Sequence, residues 1–123
     1  MSIIHNELNK MGIVCQDVSV LQDKDGVIVA RVVSVEKSYV VKYFQKNEYK
    51  REIENYRLLE TLDVPTIQVI ASTESSILLE DLACSSVFRL GVREDMSDLE
   101  VARRIAVWYK QLRSRGYAYV CQE

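Results

Sequence analysis

Ser38-Tyr39-Val40-Val41-Lys42-Tyr43-Phe44 is the stretch on which the reading of this chain turns. Its β-branched and aromatic residues favour a strand. Alternation then divides it into Val40, Lys42 and Phe44 on one face and Tyr39, Val41 and Tyr43 on the other. On either face the ammonium of Lys42 lies among apolar neighbours and must reach water or find a carboxylate. Towards the N-terminus, Val27 to Val35 is a second β-branched run, with Glu36-Lys37 as the turn between them. Asp23-Lys24-Asp25-Gly26 supplies the turn before it, and Ile13 to Leu21 is a further β-rich run. Three strands with short connections predict an antiparallel meander. Ahead of them, residues 2 to 12 carry Ile3, Ile4, Leu8 and Met11 at rough helical spacing, with Gly12 as the stop.

Towards the C-terminus, Asn47 is the expected N-cap of a helix to about Leu62, because Tyr49, Ile53, Tyr56, Leu59 and Leu62 recur at helical spacing. Asp63-Val64-Pro65 ends it, since a proline disfavours helix at the residue before it. Thr66 to Ala71 and Ser76 to Leu82 read as two more strands around the turn Ser72-Thr73-Glu74-Ser75. Asp81 either caps a following turn or faces a ligand at a cleft mouth, and the cap is the expectation. Ser97-Asp98-Leu99-Glu100 has capping-box spacing and opens a helix to about Arg115, closed by Gly116. Its apolar residues, Val101, Ile105, Trp108, Tyr109 and Leu112 among them, make a face wider than a one-sided surface helix needs. The expected fold is α+β: about five antiparallel strands, one helix inserted after the third, and a C-terminal helix.

The inserted helix bears on Lys42. Glu54 has Lys50 and Arg57 within one helical turn, and Glu48 has Arg51, so both find local partners. Glu52 has only Glu48, Tyr49, Asn55 and Tyr56 at those spacings, and it borders the apolar stripe at Ile53. Lys42 is its expected partner.

Composition sets the limits. At 123 residues and 48% hydrophobic content, one domain with a core fits, and two full lobes do not. The formal charge of −2, with interspersed bases and acids, gives no reason to expect nucleic acid or a membrane surface as partner. Cys15, Cys84 and Cys121 lack CxxC spacing, which argues against a disulfide framework or zinc site. The polar start of the chain offers no secretory signal core, so the cytoplasm is the expected compartment.

Val40-Val41-Lys42, then Arg51-Glu52-Ile53-Glu54-Asn55-Tyr56-Arg57-Leu58-Leu59, then Ile77-Leu78-Leu79-Glu80-Asp81-Leu82 resemble the small lobe of the aminoglycoside phosphotransferase group within the protein-kinase-like superfamily. The resemblance spans roughly residues 15 to 112. It implies residues 1–96 as a kinase-like small lobe with its hinge, and 97–123 as the first helix of a large lobe. It also implies ATP with magnesium as the cofactor. Lys42 would bond the α- and β-phosphates and Glu52 would orient it. Val40 and a second-strand residue, Ile28 or Ala30, would contact adenine. Leu79 would be the gatekeeper, the Glu80 carbonyl and Leu82 amide would meet the adenine edge, and the turn ending at Gly26 would cover the phosphates.

Two departures from the family pattern matter. The turn has one glycine rather than a glycine-rich repeat. The family's His-x-Asp-x-x-x-x-Asn loop and metal-binding Asp are missing: the only histidine is His5, and no Asp or Asn follows Asp98. The expectation is a nucleotide-binding small lobe, inactive by itself, which pairs with a missing large lobe or with a second copy through the 97–115 helix. The competing reading is a non-enzymatic α+β interaction module in which Lys42 and Glu52 form a structural ion pair.

Overall fold

A computed structural model describes residues 2–35, 37–85 and 88–121. It is α+β, with a five-stranded antiparallel sheet, a helix after the third strand and a C-terminal helix. The elements are α1 (Ser2–Met11), β1 (Asp17–Lys24), β2 (Val27–Val33), β3 (Ser38–Phe44), α2 (Arg51–Thr61), β4 (Val69–Ser72), β5 (Ser76–Glu80) and α3 (Leu99–Cys121). The sheet order is β1-β2-β3-β5-β4. Two compact units divide the chain: residues 1–54 with 67–89, and residues 55–66 with 90–123.

In the first unit, α1 ends where Gly12, at φ 74°, takes the left-handed conformation that glycine adopts without a Cβ clash. Ile13 N then bonds Leu8 O at 2.9 Å and Gly12 N bonds Asn9 O at 3.1 Å, the paired bonds of a Schellman stop. Ile13 belongs to this cap and packs on the core with Cys15, so β1 begins at Asp17 rather than at Ile13. It continues to Lys24, because the turn contracts to Asp25-Gly26. Both turn residues have positive φ, 55° and 82°, the signature of a two-residue hairpin turn that matches strand twist. Ser34 N and Oγ both bond Lys37 O and close the β2–β3 connection; Glu36, expected in that turn, lies outside the described residues.

The short β2–β3 connection sets the register of those two strands, with Val33 opposite Ser38. Val29 lies opposite Lys42, Arg31 opposite Val40, Ile28 opposite Tyr43 and Ala30 opposite Val41. On the next strand Ile77 faces Lys42 and Leu79 faces Val40. Cross-strand partners share a face. Ile28, Ala30, Val32, Val41 and Leu78 therefore line one side, where they cluster with Ile4 and Leu8 of α1 as the dry core. Val29, Arg31, Val40, Lys42, Ile77 and Leu79 line the other.

Asn47 is not an N-cap. A short 3-10 turn over Asn47–Lys50, capped at Lys46 without a side-chain bond, leads into α2. The helix stops at Thr61 with a second Schellman pattern, Val64 N to Leu59 O at 3.1 Å and Asp63 N to Glu60 O at 3.0 Å, with Asp63 at φ 56°. β4 starts at Val69 rather than Thr66, and β5 stops at Glu80 because Asp81 caps the 3-10 turn Leu82–Cys84, accepting from Ala83 N at 3.0 Å.

In the second unit, Asp98 rather than Ser97 caps α3, its Oδ1 accepting from Glu100 N at 2.9 Å. Glu100 serves no capping box; its carboxylate binds Arg103 and Arg104. The helix runs through Gly116 to Cys121, and a Cβ at Gly116 would meet nothing within 4 Å. Trp108 Nε1 donates to Pro65 O, and Arg115 donates to Asp63 O, which joins α3 to residues 55–66.

Candidate functional site

The face opposite α1 is mixed. Phe44, Ile77 and Leu79 are buried there, while Val29, Arg31, Val40 and Lys42 are half-exposed. Lys42 Nζ donates to Glu52 Oε2 at 3.2 Å, with the two side chains 29% and 40% exposed. This contact brings the first turn of α2 to the sheet on this side. Lys42 is therefore neither a free edge lysine nor sealed in a core. An ammonium has three N–H donors, and a single carboxylate contact leaves donors for a ligand.

Of the residues the sequence singles out, Val40, Lys42 and Leu79 share this face, and Glu52 reaches it from α2. Glu80 and Leu82 lie in the segment that leaves the same end of β5. Ile28 and Ala30 do not join them. Each is at most 2% exposed and belongs to the core beneath α1, because the hairpin register gives Lys42 and Val40 the alternate β2 residues, Val29 and Arg31, as neighbours. Gly26 lies at the hairpin tip, three residues beyond Val29, about 10 Å along the strand from Lys42. Its carbonyl accepts from Gln45 N at 2.8 Å, and the Lys46 side chain packs against it. The tip is a tight hairpin turn tied to the end of β3.

Two clusters were not anticipated from sequence. Asp81, 4% exposed, accepts from Arg31 Nε at 2.8 Å and from Ser38 Oγ at 2.7 Å as well as capping its turn. Burial pushes its carboxyl up, but the bonds from Ser38, Ala83 and Arg31 together outweigh that and hold it below the usual aspartate range. A concavity of about 320 Å³ opens beside it, lined by Ser38, Tyr39, Glu80, Asp81 and Cys84 among others. The one charge within the β2 run Val27–Val33 is Arg31, and this was the available signal. On the α1 side, Glu7 is 3% exposed and accepts from Thr73 Oγ1 at 2.7 Å and Ser76 Oγ at 2.8 Å, with Lys10 Nζ at 2.9 Å. Here too burial raises the pKa, and the bonds from Thr73, Lys10 and Ser76 more than offset it, so the carboxyl stays below the usual glutamate range. Among the described residues no buried side-chain nitrogen or oxygen lacks a hydrogen-bond partner.

In the second unit α3 leaves Ile105, Tyr109, Tyr117 and Val120 at least half exposed. Among the described residues no helix is long and apolar enough to cross a membrane, and no cluster of three or more His, Cys, Asp or Glu side chains could hold a metal ion. Neither a family model nor a curated protein matches the chain.

Proposed function

We propose that the Lys42 face binds a nucleotide, and that the chain acts as the small lobe of a small-molecule phosphotransferase of the aminoglycoside or choline type. The observation that carries this reading is the Lys42–Glu52 contact of 3.2 Å, held at partial exposure beside an apolar row. Glu52 accepts one hydrogen bond from the ammonium at 3.2 Å, and the remaining N–H donors of Lys42 would take phosphate oxygens. Val29 and Val40, half-exposed on that face, would offer an apolar surface to the flat side of a base, with Leu79 buried opposite Val40, and the backbone at Glu80 and Leu82 would offer its edge a hydrogen-bond acceptor and donor.

Among the described residues no three or more His, Cys, Asp or Glu side chains gather at one place, and the metal-binding Asp that the resemblance implies is missing from the sequence. Nor does the chain carry the family's histidine-aspartate loop. What these residues do is bind and orient a nucleotide; transfer of its phosphoryl group needs a second lobe that brings the base and the metal ligands. The exposed apolar residues of α3 suit contact with such a lobe or with a second copy.

The test is thermal unfolding with and without millimolar ADP or ATP. A ligand at 100-fold excess over its dissociation constant stabilises by about 2.7 kcal/mol and raises Tm by several degrees. The expected result is a rise in the wild type that disappears in Lys42→Ala, with the unliganded Tm of that variant little changed. An absent shift in the wild type would favour an interaction module with a structural ion pair.

A further inference from the structure

Arg31, Ser38 and Asp81 form a clasp between the sheet and the segment leaving β5. The carboxylate of Asp81 takes Arg31 from β2 and Ser38 from the start of β3 on Oδ2, and Ala83 N on Oδ1. On the other side of the same segment, Glu80 N bonds Gln68 O at 3.0 Å and Gln68 N bonds Glu80 Oε1 at 3.0 Å. The backbone from Glu80 to Ala83 is thus pinned from both sides. Arg31 and Ser38 stand on the Lys42 face: Arg31 is opposite Val40, and Ser38 is four residues before Lys42 on the same strand. That separation is about 13 Å at strand spacing, room for an extended nucleoside diphosphate.

We infer that Arg31, Ser38 and Asp81 are positioning residues for the base end of the site, while Lys42 and Glu52 serve its phosphate end. The inference rests on the nucleotide reading given above. A base read by the Glu80 carbonyl and Leu82 amide depends on donor and acceptor directions that the clasp sets, because hydrogen bonds weaken steeply when misaligned. Phosphates held by Lys42 have no such dependence. The low pKa of Asp81 keeps the clasp ionised at neutral pH.

The experiment compares ADP with inorganic tripolyphosphate, which has the phosphates and no base, by calorimetric titration of the full chain. The variants are Ser38→Ala, Arg31→Lys and Lys42→Ala, each checked for its unliganded Tm. Arg31→Lys keeps the charge and loses the planar fork. Ser38→Ala and Arg31→Lys are expected to weaken ADP about tenfold, the scale of one misplaced hydrogen bond, and to leave tripolyphosphate unchanged. Lys42→Ala is expected to weaken both. If the clasp variants weaken both ligands equally, or neither, the clasp inference fails and the nucleotide reading stands. If the wild type binds neither ligand, the nucleotide reading fails and takes the clasp with it.

Discussion

On one face of the sheet Ile28, Ala30, Val32, Val41 and Leu78 are at most 2% exposed beneath Ile4 and Leu8, whereas on the other Lys42 and Arg31 keep 29% and 41% of their side chains in water. Both faces come from the same strands, residue by alternate residue. The α1 face buries Glu7 under two hydroxyls and a lysine. The opposite face holds its charges in pairs with donors left over. The first face holds the buried core of the sheet, and the second is the one we propose for ligand contact.

The largest effect that could break this contrast is on the closed face. Leu8→Ala removes a side chain that is 1% exposed from the α1–sheet core and should cost about 2–5 kcal/mol by denaturant unfolding. A cost under about 1 kcal/mol would mean that α1 does not seal the sheet, since such small values belong to surface positions.

Glu7→Gln comes next. It keeps the shape but loses the charge that Lys10, Thr73 and Ser76 satisfy, and should cost about 1–3 kcal/mol at neutral pH. The sign with pH follows from the direction of the shift. A carboxyl whose folded pKa is depressed stabilises the fold above its unfolded value, near 4.3 for glutamate, and that contribution is lost as pH falls through the folded value. The gap between wild type and Glu7→Gln should therefore narrow below about pH 4. A gap that stays constant to pH 2 would show that Glu7 is not held ionised. The smallest stability effect is expected for Lys42→Ala on the open face, within about 1 kcal/mol, because the pair it breaks is partly solvated.

Much of this architecture is legible in the chain. The run Ser38 to Phe44 is bounded in the sequence as it is in the fold, and the lack of a local cation for Glu52 points to Lys42 before any distance is known. What the sequence hides is register. Val27 to Val33 is apolar at all but one position, so alternation alone cannot say whether Ile28 and Ala30 or Val29 and Arg31 stand beside Lys42. The short β2–β3 connection, closed by the Ser34–Lys37 bonds with Val33 opposite Ser38, decides it. Helix ends are hidden where a cap depends on backbone geometry: Gly116 resembles a stop but lies inside α3, and Asn47 resembles a cap but lies inside a 3-10 turn. Long-range polar contacts such as Glu7 with Ser76, 69 residues apart, leave no local trace.

The central claim, that the Lys42 face takes the ligand and the α1 face does not, is tested most directly by amide chemical-shift mapping during an ADP titration. The account predicts saturable shifts at Val29, Arg31, Val40, Lys42 and Glu80 to Leu82, with α1 (Ser2–Met11) unmoved. Shifts confined to α1, or none at millimolar ADP, would contradict it.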